Sequence, residues 1–145
     1  MGYQLPAWVW PTVLMTVCVL AIWRGRDDER LAAGMDLATW ALTIVVFQDK
    51  SNATQWPVVA IDAVLFLGLL WIALRSSRHW PMFAAGFALL LLVSHLASAV
   101  DPSIGGWAYL TAGIMFSYLI LGAIAYGAIT APRRYAEIEA QAGPT

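Results

Sequence analysis

The chain has 145 residues, of which 61% are hydrophobic and 12% are charged, whereas a soluble domain usually carries about 25% charged residues. The net charge of -1 leaves no basic face for nucleic acid, and the single cysteine, Cys18, excludes an internal disulfide and any Cys-x-x-Cys motif. We therefore expect one integral membrane domain that spans residues 1–145. Its abundant alanine and its arginine bias are typical of a GC-rich bacterial genome, so we place it in the inner (cytoplasmic) membrane.

Five apolar segments follow one another along the chain. A hydrocarbon core about 30 Å thick needs roughly 17–25 apolar helical residues, and five segments meet this need: residues 7–23, 31–48, 57–74, 81–100 and 107–131. The connections between them are short, and the acids and arginines of residues 24–30 are typical of a solvated turn. The sequence thus predicts an all-α, multi-pass bundle of five transmembrane helices with a short cytoplasmic tail at 132–145.

The positive charges predict the orientation of this bundle. With five spans, seven arginines share one side of the membrane and Lys50 lies alone on the other; the arginines are Arg24, Arg26, Arg30, Arg75, Arg78, Arg133 and Arg134. Cytoplasmic loops carry the excess of Lys and Arg, so the N-terminus is expected outside and the C-terminus inside. Tryptophan rings favour the headgroup level, and those near the predicted inner ends are Trp23, Trp71 and Trp80.

Two ionisable residues lie at matching depth in the third and fourth segments. Asp62 and His95 are each five residues from the predicted outer end, about 7–8 Å deep at 1.5 Å per residue. Adjacent antiparallel helices would bring them together, near a set of polar residues that consists of Gln48, Ser94, Ser98 and Thr111. Ionisable groups within a span are functional candidates. The alternative is a structural pair that fixes helix rotation, because buried polar groups need partners.

Two further features concern the other helices. Asp36 lies five residues from the predicted inner end of the second segment, and Tyr126 on the fifth matches it in depth; we expect a neutralised structural acid there. Small residues recur at every fourth position of the fifth segment, at Ala123, Gly127 and Ala131. Such a stripe lets another helix approach closely, either within the bundle or in self-association.

A Pro/Trp-rich segment, Pro6-Ala7-Trp8-Val9-Trp10-Pro11, stands at the start of the chain. The chain resembles the tryptophan-rich sensory protein family in this segment, in chain length, in tryptophan content and in the five-span layout. That resemblance implies a five-helix bundle that binds tetrapyrroles or sterols. The segment lies at the start of the first span rather than after it, the family's later Trp- and Pro-containing helix signature is absent, and no site residue carries over.

The sequence favours a non-enzymatic role. It offers no nucleophile–base pair, phosphate loop, metal cluster or cofactor motif, and its partners are expected to be the lipid bilayer and other membrane proteins. The leading hypothesis is an accessory, assembly or scaffold subunit of a membrane complex. The alternatives are a small oligomeric proton-linked transporter or channel that uses Asp62 and His95, a binder of hydrophobic, tetrapyrrole-like ligands, and a phage-type pore former.

Overall fold

The fold is all-α, in a computed structural model that describes residues 8–46, 55–101 and 106–131. Five helices are present in this part of the chain: α1 (Val9–Arg24), α2 (Asp27–Val46), α3 (Trp56–Arg75), α4 (Trp80–Val100) and α5 (Gly106–Ile129). Each helix packs against the next, and α5 packs back against α1, so that the helices form a closed ring. A contact between α2 and α5 crosses the ring.

Three of the helices are long and apolar enough to cross a membrane: Trp56–Arg75, Trp80–Ala97 and Thr111–Ile129. Helix α1 is apolar but has only 16 described residues, and α2 carries several charged residues. Large apolar side chains are exposed on all five helices, among them Val19, Val45, Val64, Val100 and Ile129. A surface of this kind is expected where the surrounding solvent is lipid.

The connection between α1 and α2 is shorter than the sequence suggested. Helix α2 begins at Asp27, so only Gly25 and Arg26 separate the two helices. The carboxylate of Glu29 reaches back and accepts a 2.8 Å hydrogen bond from the backbone N–H of Arg26, as in a capping box. A Cβ on Gly25 would lie 2.4 Å from the Ala21 carbonyl oxygen, so only glycine fits this tight junction.

Glu29 is also not a solvated turn residue, because it is completely buried (0% exposed). Its carboxylate forms an ion pair with Arg78, in the connection between α3 and α4. Arg78 further donates hydrogen bonds to the carbonyl oxygen of Gly127 (2.8 Å) and to Oγ1 of Thr130 (2.7 Å), at the end of α5. We call these four residues the Glu29–Arg78 network; it joins α2, the α3–α4 connection and α5 at one end of the bundle.

Trp80 is buried beside this network rather than exposed at a membrane interface. Its side chain is 1% exposed, and a Cβ on Gly127 would lie 2.7–2.8 Å from its ring atoms. The ring therefore occupies the space that the missing side chain leaves. Ala123 and Ala131 are buried as well, so the small-residue stripe of α5 faces the interior of this chain.

Candidate functional site

The structure brings Asp62 and His95 into direct contact between α3 and α4. Nε2 of His95 lies 2.8 Å from Oδ2 of Asp62, within hydrogen-bonding distance. Both side chains are about nine-tenths buried. Helices α3 and α4 are consecutive and pack extensively, and the two residues lie six and five positions from the far ends of their helices, at similar depth. Polar groups in the interior need partners, and each of these two side chains supplies one to the other.

A third ionisable residue, Asp36 on α2, lies in the same region. Since α2 begins at Asp27, Asp36 lies near the middle of the helix rather than close to its end. Asp36 is only 7% exposed, and its carboxyl group is near enough to that of Asp62 for the two to interact electrostatically. Its Oδ2 atom is buried and has no hydrogen-bond partner among the described residues. A buried polar atom without a partner is rare in a folded protein.

These three residues line one cavity of about 300 Å³ in the centre of the bundle, which is partly open to the surroundings. All five helices contribute to its wall, and the polar and aromatic side chains that they supply are Trp10, Asp36, Thr39, Trp40, Thr43, Asp62, His95 and Ser117. The rest of the wall is apolar, as with Leu65 and Ile114. Ligand sites in proteins are mostly apolar cavities of about 300–1,000 Å³ with a few placed polar groups, and this cavity has that character.

Two hydroxyl groups in the wall, those of Thr39 and Ser117, use their hydrogens within their own helices. Thr39 Oγ1 donates to the Met35 carbonyl oxygen, and Ser117 Oγ donates to the Gly113 carbonyl oxygen, each over 2.8 Å. Such local bonds are common for Ser and Thr on helices. Each oxygen keeps its lone pairs but no longer has a hydrogen to give. Together with the free Oδ2 of Asp36, these oxygens present acceptors to the cavity.

Of the other residues suggested by the sequence, those whose side chains the structure describes do not line the cavity. Ser94 donates to the Leu90 carbonyl oxygen of its own helix (2.8 Å), and Thr111 is partly buried; neither is among the described residues that line the cavity. Tyr126 is 61% exposed and likewise does not line it. Gln48 and the side chain of Ser98 lie outside the described residues.

Sequence reasoning missed the wall that α2 provides, although a signal was present. Asp36, Thr39, Trp40 and Thr43 stand at i, i+3, i+4 and i+7, which is the spacing of one helix face. A polar and aromatic face on an otherwise apolar helix indicates that this face lines a cavity rather than contacts lipid. The contribution of Ser117 carried no comparable signal, because it stands alone among apolar residues of α5.

Within the described ranges, no three His, Cys, Asp or Glu side chains are grouped closely enough to hold a metal ion. Comparison of the chain with models of protein families, with curated proteins and with solved structures finds no match. The function is therefore argued from the chemistry of the cavity.

Proposed function

We propose that the chain is a five-span protein of the bacterial inner membrane, with its N-terminus outside and its C-terminus in the cytoplasm. The arginine distribution supports this orientation, since seven arginines share one side and Lys50 is the only basic residue on the other. Helices α1 and α2 belong to the same closed ring as the three long apolar helices, which supports counting them as spans.

Cysteine labelling tests this topology. In a Cys18→Ser background, a cysteine that replaces Ser103 should react with a membrane-impermeant maleimide in intact cells. A cysteine that replaces Ser77 should react only after lysis. The reverse pattern would show that the orientation is inverted, and equal labelling at both positions would show that the span count is wrong.

We further propose that the central cavity is the working site of a small proton-linked transporter or channel that conducts protons even when no other substrate is present, a role without enzymatic chemistry. The observation that carries this proposal is that Asp36, Asp62 and His95 are buried and line a single cavity. Ionisable residues within membrane helices are costly and mark ion or substrate pathways. A carboxyl and an imidazole 2.8 Å apart can pass a proton between them, because each group both binds and releases a proton.

Proton movement in liposomes tests the transport proposal. Purified wild-type protein should acidify the interior of vesicles that hold a pH-sensitive dye when a potassium diffusion potential, negative inside, is imposed. Asp62→Asn and His95→Gln keep the shape of each side chain but change its protonation chemistry, and they should reduce this flux to the protein-free level. Asp27→Asn, at the exposed start of α2, removes an acid outside the cavity and should leave the flux unchanged. Wild-type flux at the protein-free level would refute the proposal, as would unaltered flux in both cavity variants.

The accessory or scaffold role remains a second candidate, and the exposed apolar surface on every helix favours it. Helices of a larger complex would cover part of that surface. Mild solubilisation of native membranes followed by affinity purification separates the two candidates. A stoichiometric partner protein together with absent proton flux would favour the accessory role.

A further inference from the structure

We propose that the cavity binds a small protonated amine, with the ammonium group at Asp36 and the apolar part of the molecule against the aromatic wall. This inference rests on the proposed role of the cavity as the working site and adds the chemical class of its ligand. It depends on four observations, which concern the free acceptor, the charge, the shape of the site and the size of the cavity.

The first observation is the free acceptor. Oδ2 of Asp36 lies in the wall of the cavity and is buried without a hydrogen-bond partner. A molecule in the cavity that donates a hydrogen bond to this oxygen would therefore stabilise the buried carboxyl group. The neighbouring Thr39 and Ser117 hydroxyls donate into their own helices and can only accept a further bond. A ligand with several N–H donors therefore matches these three oxygens.

The second observation is the charge of the wall. The described lining residues include two acids and one histidine but no lysine or arginine. When Asp62 and His95 share one proton, the pair is neutral as a whole, and Asp36 adds one negative charge in its ionised form, which a bound ammonium group would favour. A monovalent cation balances that charge, and buried charges are tolerated when they are paired.

The third observation is that the acids surround a space rather than a point. The described residues contain no group of three His, Cys, Asp or Glu side chains that could hold a metal ion, so the acids of this wall do not converge on one point. An organic ammonium needs fewer ligands than a bare inorganic cation, because its carbon atoms pack against apolar groups. Trp10 and Trp40 line the cavity, and indole rings attract ammonium groups within about 6 Å of the ring centre.

The fourth observation is size. A volume of about 300 Å³ is at the lower end of the range for ligand sites, which favours an amine with one ring or a short alkyl chain. The same ammonium chemistry occurs on the headgroup of phosphatidylethanolamine. A soluble amine and this lipid headgroup would make the same contact with Asp36.

Equilibrium binding to the purified full-length protein in detergent tests the inference without any transport measurement. In isothermal titration calorimetry at pH 7, benzylamine should bind, and benzyl alcohol, which has a similar shape and no charge, should bind at least about tenfold more weakly. Sodium chloride at the same concentration should not compete. Equal affinity for the amine and the alcohol, no detectable amine binding at millimolar concentration, or full competition by sodium would each overturn the inference.

Variants then locate the site. Asp36→Asn should weaken benzylamine binding at least about tenfold, whereas Asp27→Asn should leave it unchanged. Gly113→Leu provides a second route if Asp36→Asn does not fold. Gly113 lines the cavity, and a Cβ there meets only one atom, at 3.9 Å, so a leucine can extend into the space and should block binding.

The matched control is Gly122→Leu on the same helix, where nothing lies within 4 Å of an added Cβ; it should bind as wild type does. Unchanged affinity in both Asp36→Asn and Gly113→Leu would overturn the assignment to this cavity.

Competition by phosphatidylethanolamine but not by phosphatidylglycerol would support a lipid source of the ammonium, and the absence of such competition would support a soluble amine. Amine binding without proton flux would refute the transport proposal and leave the amine site standing.

Discussion

The Glu29–Arg78 network gives the sharpest prediction about stability. Arg78→Met removes the guanidinium but keeps most of the apolar stem, so the change tests the charge rather than the packing. Glu29 is completely buried, and the variant leaves its carboxylate with the backbone N–H of Arg26 as a donor. Removing one partner of a buried ion pair costs about 3–5 kcal/mol. Because the Arg78 side chain is 21% exposed, we expect about 3 kcal/mol, the lower end of that range.

Equilibrium unfolding in mixed micelles, in which a denaturing detergent is titrated and tryptophan fluorescence is followed, measures this loss. Arg75→Met is the matched control, because Arg75 lies three residues before Arg78, at the end of α3. Its guanidinium lies 4.3 Å from the centre of the Trp71 ring. An exposed cation–π contact contributes only about 0.5–1 kcal/mol, so this variant should be much milder.

Glu29→Gln supplies the second half of a double-mutant cycle. Glutamine keeps the backbone cap, since it also serves at this position of a capping box, and it removes the buried charge. The double variant Glu29→Gln/Arg78→Met should therefore cost at least about 1 kcal/mol less than the sum of the two single variants. If Arg78→Met costs no more than Arg75→Met, or if the two changes add strictly, the buried ion pair does not stabilise the fold as argued here.

Two further predictions use the same unfolding assay. Asp62→Ala and His95→Ala should each destabilise the protein, and the double variant should cost less than their sum by about 0.6–1.7 kcal/mol, the range of hydrogen bonds inside membrane proteins; strict additivity would show that the two side chains do not interact. Gly127→Ala should cost about 1–3 kcal/mol through overpacking, because its methyl group would lie 2.7–2.8 Å from the Trp80 ring. Gly122→Ala, which meets nothing within 4 Å, should be neutral or stabilising by up to about 1 kcal/mol, and equal effects at the two glycines would contradict the packing described here.

The number of helices and their approximate limits were predictable from sequence, because the apolar runs are long and the connections short. Helix α3 was predicted at residues 57–74 and spans Trp56–Arg75, and α4 was predicted at 81–100 and spans Trp80–Val100. The start of α2 was predicted four residues late, at 31 instead of Asp27. In a hydropathy pattern, the charged residues at the start of α2 resemble a loop. The backbone N–H of Arg26 donates a hydrogen bond to the Glu29 side chain and caps the helix there. Hydropathy does not encode that local geometry.

The sequence by itself determined the depth at which Asp62 of α3 and His95 of α4 lie. Each is five residues from the predicted outer end of its helix, so a short connection between antiparallel helices brings the two to similar depth, and in the structure they lie 2.8 Å apart. Only the tertiary structure decided what lies around that pair. The ring of five helices brings Asp36 of α2 beside it and buries Glu29 against Arg78, 49 residues away. Such contacts depend on how distant helices rotate and pack, and side-chain volume and shape set that rotation rather than the apolar period of any single helix.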